Sequence, residues 1–130
     1  LGGVAVHLKR LDYTVYTDAK WMNFMLGQIL GNSAKYGAKN LQIWAEESQE
    51  SILLHLADDG IGVGQQDIGR IFEKGFTGEN GRVYGKSTGM GLYLCKKLAD
   101  KLGLGISAYS AEKGGLRISL VFPKGSLTEM

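Results

Sequence analysis

A chain of 130 residues is long enough to bury one core and too short for two independent domains. Apolar residues at 44% and charged residues at 22% are the balance of an ordinary globular fold, and exclude a disordered or fibrous chain. The net charge of +2 comes without any run or stripe of Lys and Arg, which argues against a nucleic-acid partner. A lone cysteine, Cys95, rules out an internal disulfide and thiolate metal clusters, and suits a reducing compartment. No apolar run approaches the roughly 18–20 residues of a membrane span, and no signal peptide is visible. The first residue is Leu1 rather than Met, so a piece of a longer protein is expected.

In chain order, residues 4–9 and 13–16 alternate apolar and polar side chains and predict two short strands. Thr17 or Asp18 can cap a helix running to about Tyr36 and stopped by Gly37, with Met22, Leu26, Ile29 and Leu30 as its apolar stripe. Leu41–Glu46 and Ser51–Asp58 predict a hairpin around Ser48-Gln49-Glu50. A short helix is expected over Asp67–Lys74, with Ile68, Ile71 and Phe72 at helical spacing. Residues 75–86 are poor in apolar side chains and read as a mobile loop, of a length that often serves as a functional lid. A third helix follows to Leu102, with Leu94, Leu98 and Leu102 on one stripe and Gly103 as its stop. Strands near Gly105–Ala111 and Leu116–Phe122, joined by Glu112-Lys-Gly-Gly115, complete the pattern. The expected fold is α+β, a two-layer sandwich in which a mixed sheet of about five to six strands packs on three helices.

Three stretches carry candidate chemistry. Twenty glycines are about twice the usual share of roughly 7%, and twelve of them lie between Gly60 and Gly105. Among these, Gly85-Lys-Ser-Thr-Gly89-Met-Gly91-Leu92 places a G-x-G spacing at a helix start. Backbone amides can approach phosphate closely there, and the helix terminus favours negative charge; the alternative is a flexible loop leading into an ordinary helix. On the first helix, Gln28, Asn32 and Lys35 fall within roughly a 60° arc beside the apolar stripe. Asn32 offers a neutral oxygen suited to Mg²⁺, Lys35 a charge for phosphate and Tyr36 a ring beside a base; a solvated helix edge is the plainer reading. Asp58-Asp59-Gly60-Ile61-Gly62 follows an apolar strand. A carboxylate fixed there can accept from an exocyclic amine, or the segment is a simple Asp-Gly turn.

In this order and spacing the motifs resemble the nucleotide site of the histidine-kinase ATP-binding domain, the Bergerat-type fold shared with gyrase, mismatch-repair ATPases and a class of chaperones. Gln28-Ile-Leu-Gly-Asn32-Ser-Ala-Lys35-Tyr36 looks like the family's N box, and Asp58-Asp59-Gly60-Ile61-Gly62 like its first glycine box. Arg70-Ile-Phe72-Glu-Lys74-Gly-Phe76 looks like the F box, and Ser87-Thr88-Gly89-Met90-Gly91-Leu92 like the second glycine box. The likeness runs from about Thr17 to Pro123. The wording from Phe72 to Arg82 and from Ser87 to Leu94 further resembles the small intramembrane-sensing kinases of Gram-positive bacteria, which are associated with peptide-antibiotic stress and often with a neighbouring ABC transporter.

The resemblance implies ATP and Mg²⁺ as cofactors. Asn32 would ligate the metal and Asp58 would read adenine, with Gly60 and Gly62 clearing the turn beside it. Lys35 and Tyr36 would flank phosphates and base, Gly89 and Gly91 would admit the polyphosphate, and Lys74 and Arg82 would approach the γ-phosphate. Phe76, Ser87, Thr88, Met90 and Leu92 would complete the nucleotide site. Gln28 is a neutral amide, which cannot take a proton as a carboxylate can, so it suits a supporting or metal-side place better than that of a base.

The implied activity is transfer of the γ-phosphoryl group to a histidine on a separate dimerisation domain, and then to the aspartate of a response regulator. His7 and His55 lie in strand patterns and do not suit the acceptor role, so the acceptor is expected outside residues 1–130. The same resemblance implies that the whole domain, 1–130, works at the cytoplasmic face of the membrane as part of a longer kinase. The rival readings are an anti-sigma-factor-like serine kinase and a non-catalytic nucleotide-binding module of the same fold. A chaperone- or topoisomerase-type ATPase is disfavoured by Gln28, where a hydrolytic carboxylate is needed.

Overall fold

The computed structural model describes residues 3–76, 90–111 and 114–124. Its frame is a five-stranded sheet of β1 (Ala5–Lys9), β2 (Asn40–Glu47), β3 (Ser51–Asp58), β4 (Gly105–Ser110) and β5 (Leu116–Pro123), in the order β1-β2-β3-β5-β4. β1 runs parallel to β2, and every other pairing is antiparallel. The predicted hairpin is present, and Ser48 closes its turn: the Ser48 amide donates to the Ser51 carbonyl at 2.8 Å.

Because side chains alternate across a strand, one sheet face carries Leu41, Ile43 and Ala45, then Ile52, Leu54 and Leu56, then Ile118, Leu120 and Phe122. Two helices, α1 (Ala19–Lys35) and α2 (Gly91–Leu102), close that face. Met25 and Ile29 of α1 join Leu92, Cys95 and Ala99 of α2 in one core with the strands. Asp58 does not stand alone at the strand end, because Ser33 is buried beside this core at the far end of α1.

The helix ends follow local chemistry. The Asp18 carboxylate accepts from the Trp21 amide at 3.1 Å, satisfying one of the orphan donors of the first turn. α2 ends at Gly103 in the left-handed region (φ 75°), as the sequence predicts.

Three expectations about elements are corrected. Residues 13–16 form no strand. Arg10 at φ 51° bends the chain off after β1, Tyr13 and Tyr16 stay exposed, and only Val15 turns to the core, which produces alternation without a ladder. The helix expected over Asp67–Lys74 is a single 3₁₀ turn, Ile68–Arg70. Amides of Arg70, Glu73 and Phe76 each bond a carbonyl three residues back, Asp67 makes no side-chain cap, and Gly69 sits where a helix interior disfavours it. Thus Ile71 is buried, with Ile68 and Phe72 packed on the core, by a chain of turns. Two α-helices, not three, are found among the described residues.

The buried stripes are also rotated from the expected ones. On α1 the deepest residues are Met25, Ile29 and Ser33, with Met22, Leu26 and Leu30 alongside. On α2 they are Leu92, Cys95 and Ala99, while Leu94 is 36% exposed. The small Cys95 and Ala99 let α2 come close to α1, and the Cys95 thiol donates to the Met25 carbonyl at 3.6 Å. Burial pushes that thiol up to about 12.

Both histidines are sheet residues. The ring of His55, buried on the face away from the helices, shares hydrogen bonds with Ser119 Oγ (2.7 Å) and Glu46 Oε1 (2.8 Å). His7 on β1 pairs with Asn40 Oδ1 at 3.0 Å.

Candidate functional site

Asp58 is the last residue of β3, only 8% exposed, and three parts of the chain hold its carboxylate. Oδ1 accepts from the Gly60 amide at 3.0 Å and from the Leu116 amide at 3.1 Å. Oδ2 accepts from Ser33 Oγ at 2.8 Å. Space around it is stripped of side chains. A Cβ on Gly115 would overlap the Asp58 carbonyl and come within 2.5 Å of Oδ1; one on Gly60 would come within 2.7 Å of the Tyr36 carbonyl. Gly62, at φ 71°, passes the chain directly against the Gly114 carbonyl, a conformation and an approach that a side chain would obstruct.

The neighbouring carboxylate has a different task. Asp59 Oδ1 accepts from the amides of Lys39 and Asn40 at 2.8 and 2.9 Å, and Oδ2 accepts from Asn40 Nδ2 at 2.9 Å. These bonds, the Asn40 side chain foremost, lower its pKa from 3.8 to about 2. Asp59 fastens the start of β2, and Asn40 carries the link on to His7 of β1. Of two adjacent aspartates, Asp58 faces the core side and Asp59 ties the sheet.

The end of α1 sits against the same turn. The Ile61 amide donates to the Tyr36 carbonyl at 3.1 Å, joining the helix terminus to the glycine turn. Asn32 is half-buried one residue before Ser33, with Lys35 exposed and Tyr36 half-buried beyond it. Two turns of helix separate Gln28 from Lys35, and Gln28 meets the start of α2: a Cβ on Gly91 would lie 2.7 Å from Gln28 Oε1. Motifs 28–36, 58–62 and 90–92 therefore meet around one corner of the fold.

Met90 is half-buried at the N-cap of α2, and Leu92 is buried in the core. Lys74 is exposed, and Phe76 lies under the Arg70 guanidinium at 4.7 Å from its ring centroid. The predicted site residues Arg82, Ser87, Thr88 and Gly89, and most of the expected 75–86 lid, lie outside the described residues.

Sequence reasoning missed Ser33, the Leu116 amide and Gly115. Ser33 had a signal, a small polar residue inside the apolar arc of α1. The contribution of residues 115 and 116 had none, since it depends on β5 lying beside β3. Among the described residues no three His, Cys, Asp or Glu side chains could hold a metal between them. None of the described helices is long and apolar enough to cross a membrane.

Residues 17–126 match the family model described as histidine kinase-, DNA gyrase B- and HSP90-like ATPase. The chain belongs to this ATPase family. The family member is 39% identical over 122 residues to the sensor kinase GraS of Staphylococcus aureus, across 93% of this chain and 35% of that protein. It is 38% identical over 116 residues to the sensor histidine kinase YxdK of Bacillus subtilis, across 85% of this chain and 35% of that protein. The chain thus spans about a third of the length of these relatives. Its fold is that of the mycobacterial sensor histidine kinase MprB, with a TM-score of 0.81 at 20% identity over 93% of this chain and 84% of that one. The expected α+β fold with a mixed sheet is borne out.

Proposed function

We propose that this chain is the ATP-binding catalytic domain of a longer sensor histidine kinase, and that Asp58 reads the adenine amine. The observation that supports it most is the Asp58 carboxylate, buried and oriented from three directions yet, among the described residues, left with acceptor capacity on Oδ2. That is the donor–acceptor sense an exocyclic amine requires. Its relatives GraS and YxdK are sensor kinases, which supports the kinase reading over a serine-kinase or non-catalytic one.

The residues present fit MgATP. Asn32 brings a single neutral oxygen, which suits a hard cation that takes its other ligands from phosphate and water. Lys35, Lys74 and, from the sequence, Arg82 would face the phosphates, and Gly89 and Gly91 would leave their backbone open to them. Gln28, in contact range of Gly91, would hold the start of α2 against α1 rather than move a proton. Bound MgATP supplies the γ-phosphoryl group, so the chain's own work is positioning and electrostatics.

The acceptor histidine would lie on a dimerisation domain of the same protein, and a response regulator would take the group next. His55 is fully engaged within the sheet, in keeping with an acceptor elsewhere. The likeness to Gram-positive sensor kinases further supports a location at the cytoplasmic face of the membrane, with an ABC transporter as a candidate partner.

Calorimetry of ATP and ADP with and without Mg²⁺ tests the reading. Micromolar, Mg²⁺-dependent binding that Asp58→Ala removes is expected; a folded chain that binds neither nucleotide refutes it.

A further inference from the structure

We infer that Ser33 sets the base selectivity of this site by orienting the Asp58 carboxylate, an inference that rests on the assignment of Asp58 to the adenine amine. Ser33 is 3% exposed, next to Asn32 on α1 and 2.8 Å from Asp58 Oδ2. A carboxylate oxygen has two lone pairs. Oδ1 spends both on the Gly60 and Leu116 amides, whereas among the described residues Oδ2 receives the Ser33 hydroxyl alone. One acceptor position is therefore left, on Oδ2.

The torsion that turns a carboxylate about its own axis is soft, with broad wells. Two backbone donors on one oxygen locate Oδ1, and the hydroxyl on the other decides where the remaining lone pair points. A single aimed acceptor takes one N–H, such as that of a 6-amino purine. A 6-oxo purine sets an acceptor against it and leaves both groups unpaired, the arrangement that discriminates most strongly. Because its proton is committed to Asp58, Ser33 acts through that carboxylate and is a positioning residue. The same helical step sets Asn32 and Ser33 side by side, so one turn of α1 would serve the metal and the base.

The test compares ATP with purine riboside triphosphate, which lacks the 6-amine, by calorimetry on wild type, Ser33→Ala, Ser33→Cys and Ser33→Thr, with thermal melts of each free protein. Ser33→Ala should weaken ATP by about tenfold, as for loss of a hydrogen bond to a charged group, and leave the purine riboside triphosphate within about twofold. The ratio between the two ligands collapses, and Ser33→Thr restores it. Ser33→Cys keeps the size with a weak donor and should give an intermediate ratio; it carries the test if the alanine variant does not fold.

Equal losses for both nucleotides would reduce Ser33 to a packing role and overturn the inference, as would an unchanged ratio. Wild type that binds both ligands equally would overturn it too, since Asp58 would then not read the amine. Wild type that binds neither would instead remove the nucleotide assignment itself.

Discussion

Consider replacing Gly115 with alanine. The new methyl group would overlap the Asp58 carbonyl and stand 2.5 Å from Oδ1. Neither atom can yield easily, because the carbonyl is backbone at the end of β3 and Oδ1 is fixed by the amides of Gly60 and Leu116. The start of β5 must move away instead, and the 3.1 Å bond from the Leu116 amide is the first to break. Overpacking of about 1–3 kcal/mol and a lost hydrogen bond to a charged group of about 1.5–3 kcal/mol overlap in part, which gives a loss of about 3 kcal/mol. For a domain of this size that lowers the melting temperature by roughly 10 °C.

Gly114→Ala is the control. Gly114 is in the left-handed region (φ 91°), and among the described residues an added methyl group there would meet nothing within 4 Å, so the variant should lose only about 1 kcal/mol of backbone preference. Thermal melts and ATP titrations of both variants decide the matter. Gly115→Ala should be the less stable of the two and lose at least about tenfold in nucleotide affinity. If Gly115→Ala melts within about 2 °C of wild type and binds ATP normally, the account of a carboxylate wedged against a side-chain-free strand start is wrong.

Asn32→Ala should keep the fold and the Mg²⁺-free affinity for ATP, and lose the enhancement by Mg²⁺; retained enhancement would remove Asn32 from the metal. Asp59 has a folded pKa of about 2 against 3.8, a depressed value, so the stability it contributes is complete above 3.8 and lost as pH falls towards 2. Thermal melts should show a steeper fall in that window for wild type than for Asp59→Asn, and identical slopes would contradict the assigned bonds. Cys95, buried and pushed up to about 12, should not react with a thiol reagent at pH 8 until the chain is unfolded by denaturant. Rapid labelling of the native protein would refute that burial.

Most strands and the ends of both helices were legible because their signals are local: Asp18 as a cap, Gly103 as a stop, and the Ser48-Gln49-Glu50 turn between two strand patterns. The motifs around Asn32, Asp58 and Gly91 were legible as a set through ordered wording, and the fold brings their described parts to one corner. Alternation misled at residues 13–16, where docking of Val15 alone reproduces the period of a strand. Helical spacing misled at Ile68, Ile71 and Phe72, because successive tight turns can bury the same three side chains without the capping and continuous bonding of a helix. Gly115 was invisible as a site residue, and Ser33 showed only as a small polar side chain in an apolar arc, since each acquires its role from a partner 25 or more positions away along the chain. Gly115 in particular reads as half of a turn, Gly114-Gly115, although its neighbour Asp58 is what forbids it a side chain.

The strand order has a consequence for the life of the chain before it is complete. β5 is the last of the described strands and yet lies between β3 and β4, and its first amide is one of the three donors to Asp58 among the described residues. A chain that ends at residue 110 lacks the strand that pairs with both β3 and β4, and with it the Leu116 amide that completes the grip. The grip on the Asp58 carboxylate is therefore complete only when β5 slots into the gap. A chain stalled short of it, or clipped by a protease before it, keeps an open edge on β3 and lacks the Leu116 donor to Asp58.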